Sequence, residues 1–340
     1  MLHDGSSSTR SHVGDGFAVE TEGKGALEAT GVDQAAALRV ARRRARRHPL
    51  GPDALWGLLL ISPVLLYILV LVAYPFFLAL YFSVSSVTVA GGDNGFVGLS
   101  NYVHLFQDPQ FLTALRNSLS FTFFAEIGKG VLGVGLAFLL LQTLRFKKVI
   151  RGFLMIPWTM PISLALLGWK WMYDPQFSVI NWLLVHVVHF AGIPPDWLGD
   201  PIFSYIAILT VNIWRGFPFS AVIVLAGLTS IPRDILDSAR VDGAGWARTW
   251  HYVIVPLIAP ILFIGLIFDV TFTLGDLTIV YLLTNGGPYG TTEILPTIAY
   301  HTGIQGGDLS HGAAAALLLF PLLLVGMIFF LRLLYRRQEV

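Results

Sequence analysis

Six long apolar stretches, separated by loops whose Lys and Arg content alternates, constrain this chain more than any other feature. They cover residues 55–84, 115–141, 152–172, 203–228, 257–283 and 313–334. A helix needs about 20 apolar residues to cross the hydrocarbon of a bilayer, and each stretch is long enough. Charged residues are 13% of 340 and hydrophobic residues 55%, with mean hydropathy +0.68. A soluble domain carries about 25% charged residues. It could not hide this much apolar surface without large exposed patches. The sequence therefore predicts an all-α integral membrane protein with six transmembrane helices.

Orientation follows from the loops. Residues 85–113, 174–202 and 285–310 contain no Lys or Arg, although they hold Asp93, Asp108, Asp174, Asp196, Asp200, Glu293 and Asp308. The other segments are basic. They carry Arg42–Arg44, Arg46 and Arg47, then Arg145, Lys147, Lys148 and Arg151. Arg233, Arg240 and Arg248 follow, and finally Arg332, Arg336 and Arg337. Short basic loops stay in the cytoplasm. Six crossings then put both termini in the cytoplasm of a multi-pass cell-membrane protein. Five or seven would leave one basic segment outside.

The expected organisation is a cytoplasmic tail over 1–53, disordered and then basic, a six-span region over 54–335 and a short cytoplasmic tail over 336–340. The first apolar run begins near Leu55, later than in a signal peptide. Residues 35–47 read either as a topology signal or as a short basic helix on the membrane surface.

Several chemistries drop out. There is no Cys, hence no disulfide, thiolate metal site or Cys nucleophile. A net charge of +1 offers no bulk field for nucleic acid. The metalloprotease pattern H-E-x-x-H and the esterase pattern G-x-S-x-G are absent, and so is a phosphate-binding G-x-x-x-x-G-K-[ST] loop. No catalytic residue is expected. His186 and His189 are three apart but lack a convincing third ligand, so no metal site is expected.

Polar residues inside spans are costly and point to function by default. The fourth stretch offers Asn212, Trp214 and Arg215. The fifth offers Asp269, Thr271, Thr273, Asp276 and Thr278, with Tyr281 near its outer end. On one continuous helix Asp269, Thr273 and Asp276 would share a face that could line a pore. An interhelical ion pair, such as Arg215 with one of the aspartates, explains them equally well. Glu126 and Lys129, three apart, read as a local structural pair. Gly128, Gly130, Gly133 and Gly135 would let helices approach closely, while Pro157, Pro161 and Pro218 would bend them. Either pattern also suits ordinary membrane packing.

The most informative loop is IPRDILDSARVDGAGWARTWHYVIVPLIAP, residues 231–260. It is too polar to span. Pro232 suits a helix start, so 233–241 reads as a short helix. Gly243 and Gly245 supply a turn, 246–253 a second helix, and Val255-Pro256 its end. Trp246 and Trp250 lie on one face and call for a partner surface or the membrane interface.

This loop resembles the EAA loop of binding-protein-dependent ABC importer permeases. The resemblance is carried by Asp237-Ser238-Ala239, Asp242-Gly243-Ala244, Trp246, Trp250 and Val255-Pro256. Asp237 stands for the motif's Glu, Ser238 for its first Ala and Val255 for Leu. Four further stretches resemble the sugar-transporting, maltose-permease-like branch: Pro157–Pro161, Trp169–Pro175, Trp197–Pro201 and Leu283–Pro288. The similarity runs from about Leu55 to Arg332.

The resemblance implies the type I ABC importer permease fold and a subunit that forms half of a translocation pore. It implies a second permease, related but different, two ATPase subunits and an extracytoplasmic solute-binding protein. ATP and Mg would bind on the partner ATPase, and no cofactor on this chain. Asp237, Ala239, Asp242, Gly243, Ala244 and Trp246 would contact the ATPase. The solute would be sugar-like, with disaccharide, monosaccharide, polyol and glycerol phosphate all open. Two rival classes compete. A proton-coupled secondary transporter would use Glu126, Asp269 and Asp276, but it leaves the 231–260 loop unexplained. An intramembrane enzyme would need a nucleophile–base set that no motif supplies.

Overall fold

The computed structural model describes residues 52–142, 145–189 and 192–338. The expected tail over 1–53 lies outside these but for its last two residues, whereas residues 336–338 of the expected 336–340 tail are described and helical. The described chain divides into two units, one ending at Tyr74 and one beginning at Pro75.

The first unit is helical: α1 (Pro52–Ile68), then a π-helical turn over Leu69–Ala73. Its sequence is apolar on every side, as suits a helix in lipid rather than one with a single core-facing stripe. With the following α2 (Tyr74–Ser83) it completes an apolar helix over Leu55–Ser83.

The second unit continues with a short hairpin, β1 (Ser85–Thr88) paired antiparallel to β2 (Gly92–Phe96). The all-α expectation missed this element. Its cause is local: Gly92 and Gly95 take positive φ, which only Gly adopts at little cost. The hairpin is tied to the loop over 285–310. Val87 N donates to Ser310 Oγ and Val89 N to the Gly307 carbonyl.

Next come α3 (Ser100–Gln107), α4 (Pro109–Leu141), α5 (Lys147–Thr159), α6 (Ile162–Met172), α7 (Val179–His186) and α8 (Pro201–Ser230). Asp108 and Asp200 cap α4 and α8, each ahead of a Pro in the first turn. The third apolar stretch is not a straight span. Its halves, α5 and α6, meet at 92°. Pro161 lacks an N–H, and it forces Met160 into an extended conformation, φ −70° and ψ 135°. Pro157 and Pro218 sit inside helices without ending them. Among the described residues, five helices are long and apolar enough to cross a membrane, or six when this bent pair counts as one span.

The cytoplasmic-type loop forms α9 (Arg233–Val241) and α10 (Trp246–Thr249), as expected. The expected stop at Val255-Pro256 does not occur. A π turn over Trp250–Ile254 joins α10 to α11 (Val255–Leu274) without a break. Val255 N bonds back five residues to the Trp250 carbonyl, which widens the coil just where Pro256 cannot donate. The fifth stretch is itself divided at Gly275, and α12 (Leu277–Leu283) follows. The chain ends with α13 (Leu295–Tyr300), a π turn over His301–Gln305, α14 (Leu309–Leu317) and α15 (Leu319–Gln338).

The main core joins α4, α6, α8 and α12 through Phe121, Leu166, Tyr173, Ile208, Val211, Ile279 and Val280. The close contact between α4 and α8 rests on two of the four glycines. A methyl on Gly128 would collide with Ile213, and one on Gly133 would lie 3.0 Å from the Ala221 amide. Gly130 and Gly135 face open space.

Candidate functional site

The polar residues of the apolar stretches converge. α8 contributes Asn212, Arg215 and Gly216, the end of α11 Asp269, Phe272 and Thr273, and the break after it Gly275 and Asp276. With Trp158 of α5 and Lys129 of α4 they line a cavity of about 410 Å³.

Lys129 is its electrostatic hub. Only 2% exposed, it donates to Asp269 Oδ1 at 2.8 Å, Thr273 Oγ1 at 2.6 Å and Glu126 Oε1 at 3.1 Å. Ser220 Oγ donates to the other Asp269 oxygen at 2.9 Å. A buried charge persists only when paired and hydrogen-bonded, and Lys129 meets both conditions. Gly216 makes room for it, since a methyl there would lie 2.6 Å from Lys129 Cε. The expected Glu126–Lys129 pair therefore exists, but as one arm of a bridge between α4 and α11. The sequence signal was an intramembrane Lys. Its partners 140 and 144 residues away are invisible to local spacing.

Arg215 forms the second pair, donating from Nη1 to Asp276 Oδ2 at 3.2 Å. Asp276 is not on the face of Asp269 and Thr273 by helical periodicity, because the helix ends at Gly275. It instead caps α12: its Oδ1 accepts from Thr278 N at 3.0 Å and Ile279 N at 3.4 Å. It reaches the same cavity through that break. Asn212 is 4% exposed, and its Oδ1 is buried without a hydrogen-bond partner among the described residues. The Trp158 ring stacks on Phe219 at 4.9 Å and stands edge-on to Phe272 at 6.2 Å. The cavity thus pairs aromatic walls with both donors and acceptors, a composition suited to a small polar solute.

Two expected residues are elsewhere. Trp214 packs edge-on against Trp169 at 5.4 Å. Tyr281 lies against Tyr300 and His301 and accepts from Gln305 Nε2 at 3.4 Å. It stands beside a separate cavity of about 650 Å³ walled by Asn285, Glu293, His301 and Gln305. His186 stacks on Trp182, and among the described residues no three His, Cys, Asp or Glu cluster as metal ligands.

The loop over 231–256 presents a turn with defined chemistry. Gly243 takes φ +72° and ends α9. Ala244 N bonds to the Ala239 carbonyl and Gly243 N to the Arg240 carbonyl, each at 3.0 Å, the closing pattern of a Gly-terminated helix. Asp237 and Arg240 pair at 3.0 Å on the exposed side. Asp242 is exposed and Ala239 buried. Trp246 and Trp250 stack, 6.1 Å apart and 5° from parallel, and both rings approach Phe138 of α4. That contact covers only part of the surface: Val241 remains 88% and Trp246 70% exposed.

Residues 129–340 match the family of binding-protein-dependent transport system inner membrane components. The trehalose/maltose transport system permease protein of Thermococcus litoralis is 31% identical over 82% of this chain and 94% of its own length. The sulfoquinovosyl glycerol transport system permease protein of Agrobacterium fabrum is 32% identical over 79% of this chain and 87% of its own. The fold is also similar to a chain of a bacterial ABC transporter that imports the acidic polysaccharide alginate. There the TM-score is 0.71 at 21% identity, covering 87% of this chain and 98% of that one.

Proposed function

Because the chain belongs to the inner membrane components of binding-protein-dependent transport systems, it is a permease subunit of an ABC importer, and we propose that it passes a sugar or sugar-like solute. Such a subunit forms half of a translocation pore in the inner membrane. It works with a second permease, a solute-binding protein and separate ATPase chains, so it is a transport subunit and not an enzyme.

One observation carries the solute reading. The intramembrane polar residues Asn212, Arg215, Asp269, Thr273 and Asp276 share a single cavity with the rings of Trp158 and Phe272. Paired donors and acceptors match vicinal hydroxyls, and aromatic faces cover the C–H face of a sugar ring. The names of relatives that carry trehalose, maltose and sulfoquinovosyl glycerol support the same class. In this reading Trp214 and Tyr281 support the path from outside the cavity.

The finer assignments belong to the same proposal. α5 and α6 count as one broken span, and both termini are cytoplasmic, as the basic loops require. Asp237, Asp242, Gly243, Ala244 and Trp246 dock on the ATPase, while the expected contact Ala239 is buried and closes the Gly243 turn through its carbonyl. The exposed Val241 and Trp246 beside the Gly243 turn support this, since exposed apolar surface next to a charged rim fits a partner. ATP and Mg bind on that partner, and this chain holds no cofactor. The second permease is a related, different chain.

Gly243→Trp tests the docking. At φ +72° any side chain strains this turn, but no heavy atom lies within 4 Å of the added Cβ, so the damage should stay in the loop and the spans should still insert. The variant is expected to lose transport and to co-purify with less ATPase. Normal uptake with a full complement of ATPase would refute the docking assignment.

A further inference from the structure

The charges around the cavity narrow the solute class. Two cations stand at or in its wall, Lys129 and Arg215. Three carboxylates face them: Asp269, Asp276 and, through Lys129, Glu126. The sum is −1 with all of them ionised, and it reaches zero if one carboxyl holds a proton. In neither state is there a surplus cation.

The pairs are also fixed in place. Lys129 spends its donors on Asp269, Thr273 and Glu126. Asp276 is held against Arg215 because its other oxygen caps α12. Arg215 is a third exposed and keeps unused N–H groups, but the adjacent carboxylate cancels its field. Those N–H groups can donate to hydroxyls. A carboxylate, sulfonate or phosphate would meet Asp276 and Asp269 at short range and in a low dielectric, where like charges repel strongly. Asn212 Oδ1, buried and partnerless among the described residues, can only accept, so it suits a hydroxyl at that point and not an anionic oxygen.

We infer that this half of the pore takes an uncharged polyhydroxylated solute and rejects acidic sugars, an inference that rests on the cavity being the solute path. Arg215 and Asn212 engage hydroxyls, Asp276 accepts from them, and the Trp158 and Phe272 rings cover the apolar face. The Arg215–Asp276 pair is then a selectivity filter as well as a brace.

The test uses the purified complex of this chain with its partner permease and ATPase, without the binding protein. Equilibrium binding is measured for a panel of neutral disaccharides and for counterparts of the same length ending in a uronic acid. The best neutral disaccharide should bind at least about tenfold more tightly than its uronate. Asp276→Asn preserves a side chain that can cap a helix and releases Arg215, so it should narrow that gap. Equal or tighter binding of the uronate by the unaltered complex would overturn the inference and leave the sugar path standing. A gap unchanged in Asp276→Asn, with neutral binding retained, would also overturn it, since the discrimination would then lie outside this pair. If the unaltered complex binds no sugar of either kind, the sugar-path reading itself fails and the inference falls with it.

Discussion

Lys129 shows how a single residue can hold two spans together. Removing it leaves Asp269 and Glu126 buried without a cation, and stranding one side of a buried pair costs about 3–5 kcal/mol. Lys129→Met should therefore lower the thermal unfolding midpoint of the detergent-solubilised chain steeply. A neutralised triple variant that also carries Glu126→Gln and Asp269→Asn should recover much of the loss. Glu293 makes a different point. It lies outside the spans, where Asn117 Nδ2 bonds the loop carbonyls of Thr291 and Glu293 at 2.9 and 3.0 Å. Burial raises its carboxyl above the ordinary value, and Thr297 and His301 only partly offset this. The folded chain thus holds the proton to higher pH than the unfolded chain does. Its stabilising contribution is full below the unfolded pKa and is lost as pH rises through the folded one. Glu293→Gln, which stays neutral, should flatten that decline in unfolding midpoint measured across the same range.

At the scale of elements, the packing of α4 on α8 depends on Gly133 but not on Gly135. Gly133→Val should press on the Ser220–Ala221 backbone and cost about 1–3 kcal/mol. Gly135→Val, in open space, should be close to neutral in the same unfolding assay of the isolated chain. Spacing alone could not separate these glycines, because all four are small and only the neighbour's position distinguishes them. The same limit applies elsewhere. Asp276 lines the same cavity as Asp269 and Thr273, but through the break at Gly275 and not by the shared helical face that grouped them. Pro161 was visible as a bend, while its 92° angle depends on how α5 and α6 pack. Pro256 read as a helix end, yet a π turn absorbed it. Gly91, Gly92 and Gly95 around residue 93 could have announced the hairpin.

At the scale of the whole molecule, the legible part was the part written in composition and charge. Apolar length and the Lys/Arg alternation are properties of the chain against the bilayer, so they need no tertiary contact to be read. The polar cavity is different. It joins α4, α5, α8 and α11, with Lys129 and Thr273 paired across 144 residues of sequence; an Arg215–aspartate pair could be named beforehand, but not the bridge from Lys129 to Asp269 and Thr273. Two parts of the molecule then have separate tasks. In the proposed function the cavity meets the solute and the Gly243 turn meets the ATPase. α10, the π turn and α11 connect them as one helical path from Trp246 to Asp269 and Thr273. Movement at the turn can therefore reach the cavity without crossing a flexible joint.

Uptake by the reconstituted complex tests this account most directly. Proteoliposomes holding the two permeases and the ATPase, with binding protein and a labelled neutral disaccharide supplied on the outer side, should accumulate the sugar only with ATP on the ATPase side. Accumulation should persist when the proton gradient is collapsed and disappear in Gly243→Trp. Uptake that proceeds without ATP and stops when the proton gradient is collapsed would contradict the account.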